Sequence, residues 1–256
     1  VQVFNNSGMP GAGIQIRVRG INTITRTSQY SDVAGPIIII DGVPGDLNTI
    51  NPNDIEHLEV LKDASSQAIY GSSGGNGVVL VTTKQGAKNQ KTKVDFSMYR
   101  GIQSNDIRID MCNTNEFIQI YNTLDATSKR RITADPNTLP STNWWDEISH
   151  NAVMEEYNLT VTSGRENSSS LLSLGYLNQD GVVNKTDYQR YNIRSNNTYN
   201  IGDHIKMGGN FNFSATRQRG SYDHSSWGSA VAGAINQSPV SYIRDTTELS
   251  PELKQE

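Results

Sequence analysis

Five stretches beyond Lys91 alternate apolar and polar residues with a period of two. Val94-Phe96-Met98, Tyr157-Leu159-Val161, Leu172-Leu174-Tyr176, Tyr191-Ile193 and Ile205-Met207-Gly209-Phe211-Phe213 each mark one face. Asn158, Thr160, Ser173, Asn192, Arg194, Asn210, Asn212 and Ser214 mark the other. Successive side chains on a strand point to opposite sides, so this pattern predicts β-strands with one apolar and one polar face. From Ile205 to Thr216 the run is twelve residues. At about 3.3 Å per residue and a tilt of about 45°, such a strand rises roughly 28 Å, enough to cross the hydrocarbon core of a bilayer. The polar face would then meet a wet lumen. A soluble sandwich or barrel alternates in the same way, so patterning alone leaves both architectures open.

Connection lengths add a second pattern. Residues 164–167 and 200–204 read as short turns after the second and fourth of these strands, whereas 102–154 and the tail after Gln218 are long. Outer-membrane barrels segregate short periplasmic turns from long external loops in this manner.

The first 88 residues follow a different grammar. Ile14 to Gly20 alternates, with Ile14, Ile16 and Val18 on one face and Arg17 and Arg19 on the other. Ile37 to Ile40 is apolar on both faces and predicts a central strand, closed by Asp41-Gly42 and Val43-Pro44-Gly45 as turn chemistry. Asn51-Pro52-Asn53-Asp54 signals a turn or helix entry, Leu58 to Leu61 a strand, and Val78 to Thr83 another. Asp63 is placed to cap a helix over Ala64 to Tyr70, which Gly71 to Gly77 then breaks. The polar stretch Ile21 to Gly35, carrying Arg26, Tyr30 and Asp32, is longer than a simple connection and predicts a functional loop. Gln85 to Lys91 is a polar linker.

Four ordered motifs lie close together here: Ile40-Asp41-Gly42-Val43-Pro44, then Ile55-Glu56 with Leu58-Glu59-Val60-Leu61-Lys62-Asp63-Ala64-Ser65, then Ala68-Ile69-Tyr70-Gly71, then Asn76-Gly77-Val78-Val79. Together they resemble the plug domain of TonB-dependent outer-membrane transporters of the SusC-like branch. Asn143-Trp144-Trp145-Asp146, Tyr157 to Gly164, Leu174-Gly175-Tyr176, Gln179-Asp180-Gly181-Val182 and Tyr188-Gln189-Arg190-Tyr191 are similar to the opening barrel strands of that family. One departure is Ser73-Gly74-Gly75, where the family often carries arginine.

The resemblance implies an α/β plug domain over residues 1–88, truncated at its N-terminus, followed over 89–256 by the first part of an antiparallel transmembrane β-barrel with its extracellular loops. About five strands are expected, against the roughly 22 of a plugged transport barrel. The chain opens on Val1-Gln2-Val3-Phe4 with no initiator methionine or leader and reads as the middle of a longer polypeptide.

Composition narrows the remaining chemistry. Of 256 residues 35% are hydrophobic, and no apolar run is long enough for a membrane helix. A net charge of -4 with scattered lysines and arginines argues against nucleic acid. Cys112 is the single cysteine, and His57, His150, His204 and His224 lack ligand spacing, so no metal or other cofactor is expected. Gly71 to Gly77 is followed by Val78-Val79 rather than Lys-Ser/Thr, which excludes a phosphate-binding loop. Glu155 and Glu156 are neighbours on a strand, face opposite ways and cannot flank one bond. No enzyme is expected.

Active import of a nutrient, an oligosaccharide or a peptide, across the bacterial outer membrane is the implied function. The implied partners are TonB of the inner-membrane energising complex, a SusD-like surface lipoprotein and outer-membrane lipid. Arg26, Tyr30, Asp32, Gly45, Asp46 and Asn48 are then the substrate-facing plug loops, and Arg17, Arg19 and Lys62 the plug cations that pair with carboxylates on the barrel wall. A surface-exposed structural or adhesive β-domain and a TonB-dependent signalling receptor are the alternatives.

Overall fold

The computed structural model describes residues 1–5, 8–18, 35–62, 68–104, 110–124, 132–202, 204–220 and 230–241. In chain order its first strands are β1 (Gln2–Asn5), β2 (Ile14–Arg17), β3 (Ile37–Ile40), β4 (Val43–Pro44), β5 (Ile55–Leu61), β6 (Val78–Thr83) and β7 (Lys93–Gln103). Helices α1 (Thr114–Leu124) and α2 (Trp144–Ile148) precede β8 (Ala152–Arg165), β9 (Ser168–Asp180), β10 (Asp187–Ile201) and β11 (Ile205–Arg219), and helix α3 (Ala230–Asn236) follows. The chain forms two compact units, one of residues 1–102, 153–181 and 186–219, the other of 103–152, 182–185 and the residues after 219.

The first unit holds an N-terminal module and a long sheet. In the module β4-β3-β6-β5 form a four-stranded sheet, with β3 parallel to β6 and the other pairs antiparallel. Ile37–Ile40 is internal, as its two apolar faces require. Ile50, Val79 and Val81 form the buried cluster, onto which Ile16, Ile38, Ile40, Leu47, Ile55 and Val60 pack. Between β3 and β4 the chain turns through Asp41 (φ 48°) and Gly42 (φ 91°). Positive φ at both central positions is the hairpin turn that Asp-Gly sequences favour.

Some expectations are corrected here. β1 was not foreseen, and it pairs with β2 in a separate two-stranded sheet in which Ile14 is exposed rather than half-buried. The strand around Leu58 begins three residues earlier, at Ile55, because Asn51 caps a 3-10 turn over Pro52–Asp54 that delivers the chain straight into it. The expected cap Asp63 and residues 64–67 of the helix expected over 64–70 lie outside the described residues. Ala68–Asn76 consists of 3-10 turns with Gly71 at φ 60°, so its last three residues are not α-helical.

β7 to β11 form a five-stranded sheet in sequence order. Its longest strands have 15 residues. At about 3.3 Å each and a tilt near 45° they rise roughly 35 Å, a full bilayer core. The hairpin turns after β8 and β10 lie at one end, and the long connections leave from the other.

This sheet is inside out by the standard of a water-soluble protein. Arg194 is 3% exposed, Asn192 5% and Ser173 2%, whereas their strand neighbours Ile193 and Leu174 are 41% and 39% exposed and Phe211 is 58%. Tyr157, Tyr176 and Tyr191 stack across three strands on the apolar face, with ring centroids 6.2 and 4.9 Å apart. An exposed apolar face on a strand long enough to cross a bilayer fits lipid rather than water.

The second unit is a cluster of short helices. Asn113 and Glu116 cap α1 reciprocally, each side chain accepting the other's backbone N–H at 3.0 Å. The Trp144 indole N–H donates to the Ser238 carbonyl at 2.9 Å, which makes Trp144 a packing residue of this cluster. No helix among the described residues is long and apolar enough to cross a membrane.

Candidate functional site: the interface between the module and the long sheet

The module rests on the polar face of the sheet, and three tiers of polar contacts hold it there. The central tier starts at the Asp41 turn. Its Oδ1 accepts the Thr83 backbone N–H at 3.0 Å, and its Oδ2 accepts the Thr83 hydroxyl at 2.6 Å and the Arg194 guanidinium at 2.8 Å. Arg194 also donates to the Thr83 hydroxyl oxygen. The side chains of Arg194 and Asp41 are only 4% and 13% exposed, so this is a buried ion pair with its charge shared among several hydrogen bonds.

Next to it sits the 3-10 turn over Pro52–Asp54. Asn51 caps that turn through Oδ1 and donates through Nδ2 to Asn158, while the Ser173 hydroxyl donates to Asp54. Asn53 and Asn158 both donate to Glu156, at 2.8 and 3.1 Å. A Cβ at Gly175 would come within 2.5 Å of Asn51 Nδ2, so the glycine makes room for this contact.

The tier farthest from the short hairpin turns uses backbone acceptors of the module. Arg190 donates to the Asn48 carbonyl at 3.1 Å, Asn192 to the Thr49 carbonyl at 2.8 Å and Gln218 to the Pro10 carbonyl at 2.7 Å. At the opposite end the linker runs along β8, where the Gly164 N–H donates to Gln90 at 2.9 Å and the Asn89 N–H to Arg165 at 3.2 Å. A Cβ at Gly164 would overlap the Ala87 carbonyl, which is backbone and cannot swing away. Gly164→Ala should therefore displace the linker and destabilise its attachment by about 1–3 kcal/mol. Urea titration of the full receptor measures this, and an unchanged midpoint would show that the linker seats without that close approach.

Among the expected substrate-facing residues, Gly45, Asp46 and Asn48 lie together in a cleft of about 420 Å³, which Arg17 also lines. They share the tier farthest from the short turns, through the Arg190–Asn48 contact. Arg26, Tyr30 and Asp32 lie outside the described residues, as does Arg19. The Arg17 guanidinium stacks 5.0 Å over the Phe4 ring, and Lys62 is exposed without an ion pair among the described residues. Sequence reasoning looked for module cations and sheet carboxylates. The pair found between module and sheet has the opposite polarity, Asp41 on the module and Arg194 on the sheet. Arginines at 190 and 194 on a face lined mostly by Asn, Ser and Thr were the available signal.

Comparison with known proteins places this geometry. Residues 1–78 match the family model described as the TonB-dependent receptor plug domain. TonB-dependent receptor P26 of Formosa agariphila is 39% identical over 227 residues, covering 86% of this chain and 22% of the relative. TonB-dependent receptor SusC of Bacteroides thetaiotaomicron is 32% identical over 251 residues, covering 94% of this chain and 24% of the relative. The chain belongs to the SusC-like TonB-dependent receptors. It spans about a quarter of the length of the curated relatives it matches. The RagAB peptide importer in its open-open state superposes with a TM-score of 0.72 at 24% identity, over 86% of this chain and 28% of that one, and so shares the fold. The N-terminal module is the plug, and the long sheet is part of the barrel wall. The polar face of that wall is the lumen face of the receptor barrel.

Proposed function

We propose that the receptor containing this chain imports a nutrient, an oligosaccharide or a peptide, across the bacterial outer membrane, with the plug gating the lumen and TonB supplying the pull. The carrying observation is the nature of the plug–wall contact. It is built from hydrogen bonds and one ion pair on a lumen face, with the apolar residues turned outward. Water can replace such contacts one by one as the plug moves, whereas an apolar seal would resist hydration. No bond of the solute is made or broken in this reading. A SusD-like lipoprotein covers the external mouth. Residues 1–88 are assigned to the plug and 89–256 to the wall and its loops, a division supported by β7 starting at Lys93. Arg17, Arg19 and Lys62 are assigned to carboxylates of the barrel wall.

Arg26, Tyr30, Asp32, Gly45, Asp46 and Asn48 meet the solute in this scheme. Replacing Arg26, Tyr30, Asp32, Asp46 and Asn48 by serine in the full receptor should abolish growth on whichever of a neutral oligosaccharide pool or a peptide pool it supports, with the outer-membrane amount unchanged. A protonophore should stop wild-type uptake. Uptake that survives the substitutions overturns the loop assignment, and uptake indifferent to the protonophore overturns TonB-driven transport.

A further inference from the structure

We propose that Arg190 and Asn192 of β10 are positioning residues for solute capture: from the wall they hold the 46–49 turn of the plug in the orientation that meets the solute. The proposal rests on the reading that Asp46 and Asn48 face the solute.

The two wall side chains take hold of main-chain carbonyls, those of Asn48 and Thr49, and leave the plug side chains alone. Asp46 and Asn48 are instead committed to each other. Asp46 Oδ1 accepts both the Asn48 backbone N–H at 2.9 Å and its side-chain amide at 3.0 Å, and the Thr49 hydroxyl donates to the Asp46 carbonyl at 2.7 Å. The turn is thus a pre-formed polar head, fixed from behind, with exposed side chains in front. Its mount is firm. Arg190 and Asn192 are 9% and 5% exposed, so their donors have little water to turn to if the carbonyls move away. Alternate residues on a strand share a face, and the next inward residue, Arg194, grips Asp41. Three consecutive inward positions of one wall strand therefore fix both ends of the 41–49 segment.

Pre-organisation acts on affinity, because a turn already held in its binding orientation loses less freedom when the solute arrives. Arg190→Met with Asn192→Leu should raise the half-saturation concentration for uptake on the order of ten-fold, with the maximal rate changed less than about two-fold. Arg190→Lys, which keeps a donor, should recover most of the affinity. A ligand-free readout runs beside this one: with Cys112 and any other free cysteine of the full receptor replaced by serine, a nitroxide attached through Asn48→Cys should be immobile, and become mobile when Arg190 and Asn192 are replaced.

The probe for uptake is growth on a limiting neutral oligosaccharide pool, or on a peptide pool where the wild type grows on that instead, normalised to outer-membrane amount. An unchanged nitroxide spectrum overturns the positioning role. A mobile nitroxide with unchanged half-saturation overturns the solute-facing assignment of Asp46 and Asn48 on which the proposal rests. Loss of maximal rate without loss of affinity also overturns it, since that would place the contacts in plug movement rather than in capture.

Discussion

Arg194→Met in the full receptor loosens the plug by about 3–5 kcal/mol, the cost of leaving a buried carboxylate without its cation. Asp41 sits at a turn whose φ is 48°, and its carboxylate is satisfied by Thr83 and Arg194 together. Removing the guanidinium strands a charge that is 13% exposed. The expected result is earlier release of the plug in urea, read by protease accessibility of the plug in a barrel that is still folded. Cells should also become sensitive to a large hydrophilic antibiotic that the intact outer membrane excludes. Asp41→Asn combined with Arg194→Met should be milder than Arg194→Met alone, because asparagine tolerates the positive φ, keeps an acceptor for Thr83 and leaves no buried charge behind. Equal release in wild type and Arg194→Met, or strict additivity of the two substitutions, would show that the pair does not fasten the plug. The result bears on the proposed gating, in which the ion pair and hydrogen bonds found among the described residues give way as water enters.

Ile193→Arg is the second large effect, and its sign separates a membrane wall from a soluble sheet. Ile193 lies between Leu174 and Phe213 in the cross-strand register, on the face that carries the stacked tyrosines. In a bilayer a charge near mid-depth on that face costs about 2–4 kcal/mol. The amount of folded, heat-modifiable receptor in outer membranes should fall accordingly. On a sheet facing water the same substitution would exchange an exposed apolar side chain for a solvated one and be neutral or favourable. Normal membrane levels of the Ile193→Arg receptor would rule out lipid contact for this face.

The sequence carried most of the local structure. Val94-Phe96-Met98 and the four stretches like it specify two-faced strands whatever surrounds them, and Asp41-Gly42 dictates a hairpin turn because both positions require positive φ. Asn51-Pro52-Asn53 likewise sets a capped turn from its own side chains. Short-range signals failed where an element depends on a neighbour. β1 has little pattern of its own and becomes a strand by pairing with β2, while β5 starts early because the 3-10 turn before it launches it.

The candidate site was legible only in part. Gly45, Asp46 and Asn48 were expected on a plug loop, and they line one cleft. Arg194 was visible only as a polar-face residue and Asp41 only as turn chemistry. Their partnership spans 153 positions of sequence, which no local pattern encodes.

What the sequence determined by itself was therefore the two faces of each wall strand and the tight turns of the plug, since both follow from backbone periodicity and the steric limits on φ. Only the tertiary structure decided which polar residue meets which. A one-residue slip in register would turn Asn192 and Arg194 outward and Ile193 into the lumen. The contacts of Asp41, Asn48 and Thr49 with β10 exist because strand pairing and plug docking fix that register. Periodicity defines a face, and packing of the whole chain against itself assigns that face its partner.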